Sequence, residues 1–310
     1  MAEIRGRYTE IFARCHATPG CFIHAADPRS ALEVTPEERE AFWEKLYSEP
    51  GFGIWQANFR DVLMDRDANA LISEFIERKI RQRVKDPAVA EMLIPKNHGF
   101  GTRRLPLETH YYEVYNQPNV ELVDIQATPI ECVTPSGIRT SNAEYDFDII
   151  IYATGFDAIT GAFDRIDIRG ADGVCLKDKW IDGPQTYLGV LVEGFPNMLM
   201  VMGPHAGLGN FPRAAEYSVE WVTDLVRHAR DTGVTRIEAT QAGTERWTEH
   251  VIEMGQGLLA NEVDSWMTGI NRNLEGKQTR KIMRYSGGYP VYRDHCNAVA
   301  ANGYRDLARA

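Results

Sequence analysis

The first third of the chain, residues 3–95, spaces its apolar side chains as α-helices do. In one segment, Thr35 stands where a helix N-cap is expected and Pro36 stands at the first helical position. A second segment places apolar side chains three and four residues apart between charged ones, and a third begins at an Asp–Pro pair and stops at a proline. The pattern predicts helices over residues 35–47, 65–84 and 86–95.

Two later segments also have helical spacing. Residues 214–233 alternate apolar and charged positions as an amphipathic helix does, and they end in glycine, a common helix stop. The spacing of apolar positions predicts another helix over residues 241–260 and a short one in the tail, over residues 297–307.

The middle of the chain favours strands. Residues 147–153 are mostly apolar with β-branched side chains at their centre, and residues 198–202 form a second such run; the runs end near Gly155 and Gly203. Short apolar runs of this kind predict strands buried on both faces of a sheet. Ligands of open α/β sheets bind just beyond the carboxyl ends of such strands, so residues 154–157 could contact a nucleotide cofactor. The simpler alternative is a core strand followed by a tight turn.

Weaker patterns add β-structure around these runs. They predict a strand over residues 119–125, a hairpin over 134–142, a β-rich patch over 158–180 and a strand within 264–296. Helices combined with buried strands place the chain in the α/β class.

Composition narrows the class of protein. The 310 residues are 44% hydrophobic and 25% charged, as in soluble globular proteins, and the net charge of −10 argues against non-specific nucleic-acid binding. No apolar run approaches the length of a membrane span, and the N-terminus lacks the apolar core of a secretory signal. The five cysteines are scattered and no group has metal-ligand spacing, so we expect a cytoplasmic protein without disulfides or a metal site.

The glycine-rich fingerprint of dinucleotide-binding proteins is missing from its usual setting. GxGxxG should follow a strand directly and open a helix, because the helix N-terminus then receives the phosphate. Residues 255–260 fit GxGxxA by letter but follow a helical segment, so we interpret the match as chance.

Three groups of side chains suit a cofactor site. Arg103 and Arg104 lie in a glycine-flanked turn and could hold a phosphate through paired donors, or they could form a solvated basic turn. Trp266 could stack on a ligand or pack in the core. His205 follows Gly203–Pro204 at a predicted strand end, where it could line a flavin site or cap a loop.

Four longer motifs suggest a family. They are GTRRLPLETHYYEVYNQPNVELVD, DIIIYATGFDAITGAFDRIDIRG, GFPNMLMVMGP and NEVDSWMTG. With these motifs, nearly the whole chain resembles the Baeyer–Villiger monooxygenases, the FAD- and NADPH-dependent enzymes related to cyclohexanone, cyclopentanone and phenylacetone monooxygenases. The resemblance implies an α/β flavoprotein with Rossmann-like sheets whose two dinucleotide-binding domains are incomplete. It divides the chain into an N-terminal helical subdomain (1–100), the closing part of the NADP-binding domain (101–150) and the C-terminal part of the FAD-binding domain (151–310).

The resemblance also implies roles for single residues. Arg104 matches the catalytic arginine, which stabilises the negative charge that develops during oxygen transfer to the ketone. Arg103 matches the basic residue that recognises the NADP 2′-phosphate, and Trp266 matches the tryptophan that contacts the nicotinamide cofactor. The remaining expected cofactor-binding residues are Thr154, Gly155, Phe156, Asp157, Gly203, Pro204 and His205.

The chain departs from the family in what it lacks. Both GxGxxG motifs, the fingerprint FxGxxxHxxxWP and the aspartate partner of the catalytic arginine are missing. We therefore expect a C-terminal part: a truncated reading frame, one half of a split enzyme or a decayed copy. Its expected function is oxidation of ketones by NADPH and O2 to esters or lactones. We expect the chain to be inactive and unable to hold FAD tightly unless a separate N-terminal half supplies the missing motifs. The alternative is a non-catalytic remnant or partner-binding module of a flavoprotein.

Overall fold

Six helices form most of the first hundred residues of the computed structural model, which describes residues 2–310 and the side chains from Ile4 onward. They are α1 (Ala2–Gly6), α2 (Tyr8–Ala17), α3 (Pro36–Ser48), α4 (Gly53–Gln56), α5 (Arg66–Arg83) and α6 (Pro87–Leu93). The three helices predicted from spacing in this part of the chain are confirmed as α3, α5 and α6.

Local capping explains why these three helices start where they do. The Thr35 hydroxyl accepts a hydrogen bond from the Glu38 amide (3.2 Å), and the Glu38 carboxylate accepts one from the Thr35 amide (3.1 Å), which completes a capping box. Asp65 caps α5 and Asp86 caps α6 through their carboxylates. Each start signal lies within a few residues, so it can be recognised without any tertiary contact.

Aromatic side chains from α3, α5 and the loop between them fill a core that we call the helical-region core. Its largest buried members are Trp43, Phe59, Ile72 and Phe75. Phe75 is fully buried, with its ring centre 5.6 Å from that of Trp43 and 6.0 Å from that of Tyr47. Buried Asn58 accepts a hydrogen bond from Trp43 Nε1 (2.9 Å), so the indole keeps its polar contact inside the core.

Short elements occupy the middle of the chain. They are the one-turn helix α7 (Tyr111–Val114), the strands β1 (Ile130–Val133), β2 (Gly137–Thr140) and β3 (Glu144–Asp146), and the one-turn helices α8 (Gly161–Asp164) and α9 (Leu176–Lys179). The three strands pair antiparallel in chain order, which confirms the hairpin predicted over residues 134–142. A β-carbon at Gly137 would overlap the Tyr145 carbonyl, so this register requires glycine. Cys132 on β1 is exposed.

Three long helices and a two-stranded sheet build a second core, which we call the C-terminal core. They are α10 (Phe211–Thr232), β4 (Ile237–Ala239), α11 (Gln241–Met254), α12 (Tyr289–Ala301) and β5 (Leu307–Arg309). The large aromatic side chains buried in it are Tyr187, Trp221, Trp247, Tyr285, Tyr289, Tyr292 and Tyr304. The Tyr292 hydroxyl donates to the Leu188 carbonyl (2.7 Å), and Trp221 Nε1 donates to the Cys296 carbonyl (2.9 Å).

The helix predictions in this half are confirmed for α10 and α11 but only in part for the tail. Helix α10 ends at Gly233, whose φ of 73° is left-handed, and α11 stops at Met254, earlier than its predicted end. The short helix predicted over 297–307 is confirmed only for residues 297–301, which are the end of a longer helix, α12, that starts at Tyr289; the chain then returns as β5.

The two apolar runs predicted to be buried strands form no strand. Residues 147–153 have no regular secondary structure, with one backbone hydrogen bond from Phe147 N to Ser136 O (2.8 Å), and Ile149 and Ile151 are 77% and 84% exposed. Asp148 interrupts the run, and no strand of the described residues lies beside it to accept its backbone hydrogen bonds. Residues 198–202 make only single backbone bonds, such as Met200 N to Val190 O (2.8 Å). A run of apolar residues becomes a strand only where a neighbour pairs with it.

Three weaker β predictions are also wrong. Residues 119–125 are irregular, the patch over 158–180 contains α8, α9 and one isolated bridge between Arg169 and Cys175, and no strand lies within 264–296. The last of these segments instead holds a 3₁₀ helix, Trp266–Thr268.

The structure is therefore mixed α/β with few strands. Within residues 2–310 the two sheets are a three-stranded and a two-stranded antiparallel sheet, so these residues do not form the Rossmann-like sheets that were predicted. No helix in the described part of the chain is long and apolar enough to cross a membrane.

Candidate functional site

Arg104 lies against two aromatic rings from the start of α4. Its guanidinium carbon is 4.5 Å from the centre of the Phe52 ring and 4.9 Å from that of the Trp55 ring. Its one side-chain hydrogen bond runs to the Leu105 carbonyl (3.1 Å), and no carboxylate of the described residues pairs with it. The rings displace water, which lowers the pKa of Arg104, although an arginine stays charged. The result is a fixed cation with free donors.

Buried polar atoms without partners surround this arginine. Trp55 Nε1, Gln56 Oε1 and Arg103 Nε are inaccessible to water, yet no described residue forms a hydrogen bond with them. Gly101, with a φ of 69°, lets the turn approach the indole, since a β-carbon there would lie 3.0 Å from Trp55 Nε1. Buried polar groups are normally satisfied, and two of these three are donors. The neighbourhood therefore suits an anionic or oxygen-rich group.

His205 lies in a closed loop before α10. It is 2% exposed with a left-handed φ of 66°, and its Nε2 donates to the Ile282 carbonyl (2.9 Å) while Nδ1 has no partner among the described residues. Burial lowers the pKa of His205, so the neutral ring is favoured. The residues before it are bound to the backbone around them, because Gly203 N donates to Gly189 O (3.1 Å) and Pro204 O accepts from the Thr186 hydroxyl (2.9 Å).

Three of the expected cofactor-binding residues line one cavity. Phe156, Asp157 and Trp266 border a space of about 90 Å³ between residues 156–164, 177–184 and 266–283. The Trp266 indole is 41% exposed, so core packing does not account for it. In the sequence, only the family resemblance connected these three residues. In the structure they border the same cavity.

Lys277, which sequence reasoning missed, joins two walls of this cavity. Its ammonium donates to both oxygens of Asp157 (2.7 Å each), to Asp164 (2.8 Å) and to the Thr160 hydroxyl (3.2 Å). Burial would lower the pKa of Lys277, but these carboxylates outweigh it and the pKa is raised. No motif signals this lysine, since Asp157 lies 120 residues away in the chain.

The remaining expected residues of the first wall, Thr154 and Gly155, do not line the cavity. They continue the exposed stretch that begins at residue 147, and Gly155 has a φ of 87° with open space around it. Phe156, which follows them, is 95% exposed even though it borders the cavity. This part of the wall therefore faces outward.

A path of contacts connects the three groups. The Gln56 side chain lies against Gly20, whose carbonyl accepts from the Asn210 amide (2.8 Å) at the end of the His205 loop. The His205 amide in turn donates to the Met283 carbonyl (3.3 Å), and Met283 borders the cavity. Arg104, His205 and the cavity thus belong to one continuous region.

The region fits part of a dinucleotide rather than a whole one. Sites for such ligands enclose roughly 300–1,000 Å³, whereas the cavity holds about 90 Å³. The Arg104 guanidinium, which makes one side-chain hydrogen bond, has donors left for a phosphate or another anionic group. Residues 2–310 contain no cluster of three His, Cys, Asp or Glu side chains that could hold a metal ion.

Comparisons with known proteins give consistent relatives. No protein-family model matches the chain. The chain is 46% identical over 312 residues to 2-oxo-Δ3-4,5,5-trimethylcyclopentenylacetyl-CoA monooxygenase of Pseudomonas putida, a match that covers 100% of this chain and 57% of the relative. It is 40% identical over 286 residues to cyclopentanone 1,2-monooxygenase of Comamonas sp., covering 91% and 52%.

A solved structure agrees in fold. The crystal structure of OTEMO in complex with FAD and NADP superposes with a TM-score of 0.95 at 46% identity, covering 100% of this chain and 57% of that one. The chain thus spans a little over half the length of these relatives.

Proposed function

Since the chain belongs to the Baeyer–Villiger monooxygenase family, we propose that it forms part of an FAD- and NADPH-dependent enzyme that oxidises ketones with O2 to esters or lactones. The observation that carries the proposal is Arg104, a cation that lies against two aromatic rings and makes one side-chain hydrogen bond, to the Leu105 carbonyl. Such a group can stabilise negative charge without reorganising at the moment of reaction.

The placement of each residue supports the role that we propose for it. Arg104 would stabilise the negative charge that develops on oxygen at the ketone carbonyl, and its stacking would keep the guanidinium in one orientation. Arg103 would hold the 2′-phosphate of NADP, and Trp266 would contact the nicotinamide end from the cavity wall. FAD and NADPH, when bound, would supply the oxygen activation and the hydride.

A partner segment is part of the proposal. Ile149, Ile151 and Tyr152 are 77%, 84% and 70% exposed, an unusual density of apolar surface for one extended stretch. An unpaired extended segment with such side chains can be covered when another strand pairs with its edge. We assign that strand to an N-terminal half carrying the glycine-rich motifs. We also propose that this chain consists of a helical subdomain (1–100), the closing part of the NADP-binding domain (101–150) and the C-terminal part of the FAD-binding domain (151–310).

The test is flavin loading. The purified chain is incubated with FAD, alone and mixed with an N-terminal half from a family member, then desalted and examined by absorbance. We expect bound flavin and ketone-dependent NADPH consumption in the mixture. Arg104→Ala should abolish product while leaving flavin bound, and Arg227→Ala, an exposed arginine on α10, should change neither. Absence of flavin from both samples would contradict the catalytic proposal and favour a partner-binding module.

A further inference from the structure

The loop that carries Trp266 is tied to itself. Asp264 accepts hydrogen bonds from Arg272 (2.9 Å) and Arg280 (2.7 Å), and the Lys277 carbonyl accepts from the Asn271 amide (2.9 Å). The Ser265 hydroxyl accepts from the Met267 amide (3.2 Å) and caps the 3₁₀ helix. Residues 264–281 are therefore held as one unit, and their position depends on what attaches that unit to the rest of the chain.

Two lysines provide the side-chain hydrogen bonds from this loop to other described segments. Lys281 donates to the Ile181 carbonyl on one side of the cavity. Lys277 reaches the opposite side and binds both carboxylates there, with exposures of 19% for Lys277, 13% for Asp157 and 18% for Asp164. Partly buried charges of opposite sign at such distances interact more strongly than exposed ones.

The backbone next to Asp157 also makes room for its contact with Lys277. A β-carbon at Gly161 would overlap the Asp157 carboxylate, so glycine is what allows the carboxylate to fold back under α8 toward Lys277. Both Asp157 oxygens accept a hydrogen bond from the lysine, so part of the accepting capacity of the carboxylate is used within the protein. Its geometry indicates a contact within the protein.

We propose that Lys277 is a positioning residue: by binding Asp157 and Asp164 it fixes the distance between Trp266 and the wall formed by residues 156–164. The cavity between these segments would then keep the width that admits the nicotinamide end of the cofactor. The identity of that ligand rests on the proposed function, whereas the positioning itself can be tested on the chain alone. In this proposal the role of Asp157 is to hold Lys277.

The first experiment is amide hydrogen exchange of the purified chain and its Lys277→Met, Asp157→Asn and double variants. We expect Lys277→Met to reduce protection about tenfold or more in residues 157–164 and 266–277. The double variant should lose little more than the single ones, because the pair acts as a unit. Lys277→Arg should restore much of the protection.

Lys281→Met is the matched control, since it removes the same charge from the same loop. Its effect should appear in residues 177–184, which include its partner Ile181, and leave residues 157–164 unchanged. Unaltered exchange in Lys277→Met, or the same loss in both lysine variants, would overturn the proposal.

The second readout uses the flavin-loaded complex. Lys277→Met should raise the KM for NADPH about tenfold with a smaller change in kcat, and Lys277→Arg should reverse much of the rise. A loss of exchange protection without any change in KM would overturn the link to cofactor positioning. If no flavin binds at all, the proposed function fails, while the exchange experiment still decides whether Lys277 holds the loop.

Discussion

The helical-region core and the stretch over residues 147–157 are both rich in apolar side chains, yet they end in opposite environments. Phe75 on α5 is fully buried, whereas Phe156 is 95% exposed. A helix satisfies its backbone hydrogen bonds within itself, so α5 needs only a surface to pack its apolar face against. An extended segment leaves its amides and carbonyls unpaired until a neighbour arrives. Apolar sequence therefore specifies burial only when the segment can close its own hydrogen bonds or find a partner.

Removing a phenylalanine side chain from each region tests whether the two regions differ in burial. Phe75→Ala should lower the free energy of unfolding by about 3–5 kcal/mol, because it empties a site packed against Trp43 and Tyr47. Phe156→Ala, the matched control, should change it by less than about 0.5 kcal/mol. Urea denaturation of both variants measures the difference, and equal losses would show that residues 147–157 are packed in solution.

A smaller effect is expected at the polar contact between α5 and the turn before Arg103. Buried Asn69 donates through Nδ2 to the Val62 carbonyl (2.7 Å) and the Phe100 carbonyl (2.8 Å). Asn69→Ala should cost about 1–3 kcal/mol, since it leaves buried carbonyls without a donor. The free energy of unfolding of Asn69→Asp, which keeps the shape but loses the donor, should fall by a similar or greater amount. Wild-type stability in either variant would contradict the assignment.

The pH dependence of the free energy of unfolding should come from the buried regions and not from residues 147–157, which contain no histidine. Burial lowers the pKa of His205 and of His250 below that of an unfolded chain. The unfolded chain then binds more protons below about pH 6.5, so stability present above that pH is lost as the pH falls, by up to about 1.4 kcal/mol per pH unit for each such histidine.

Urea denaturation between pH 7.5 and 5.5 checks this expectation. His205→Asn should flatten the decline in the free energy of unfolding. A slope identical to that of the unsubstituted chain would show that His205 does not titrate with unfolding.

The smallest expected change concerns the self-contained start of α3. Thr35→Ala removes the hydroxyl that accepts from the Glu38 amide, keeps the amide that donates to the Glu38 carboxylate, and should cost about 1 kcal/mol, while Thr35→Ser keeps the hydroxyl and should cost a few tenths. Thermal denaturation of the two variants makes the measurement. A silent Thr35→Ala would mean that α3 is defined by tertiary packing and not by its local signal.

The elements that could be predicted from the sequence are those whose backbone hydrogen bonds lie within the element itself. The bounds of α3, α5 and α6 followed from caps and spacing within a few residues. The strands over 147–153 and 198–202 did not form, because a strand depends on neighbours that no local pattern reveals.

The same limit holds for the candidate site. Arg104 was recognised in its motif, but the Phe52 and Trp55 rings that hold it lie about fifty residues earlier and carry no motif. Lys277 was missed for the same reason, since its partners Asp157 and Asp164 are 120 and 113 residues away.

Cys132 turns the middle sheet into a natural reporter. It is exposed on β1, whereas Cys15, Cys21 and Cys296 are buried, and burial raises the pKa of the Cys21 and Cys296 thiols to about 12. A thiol-reactive fluorophore should therefore label Cys132 in preference to those three cysteines. Because β3 of the same sheet ends directly before residue 147, the emission of a dye on this sheet should change when the proposed N-terminal half covers residues 147–157.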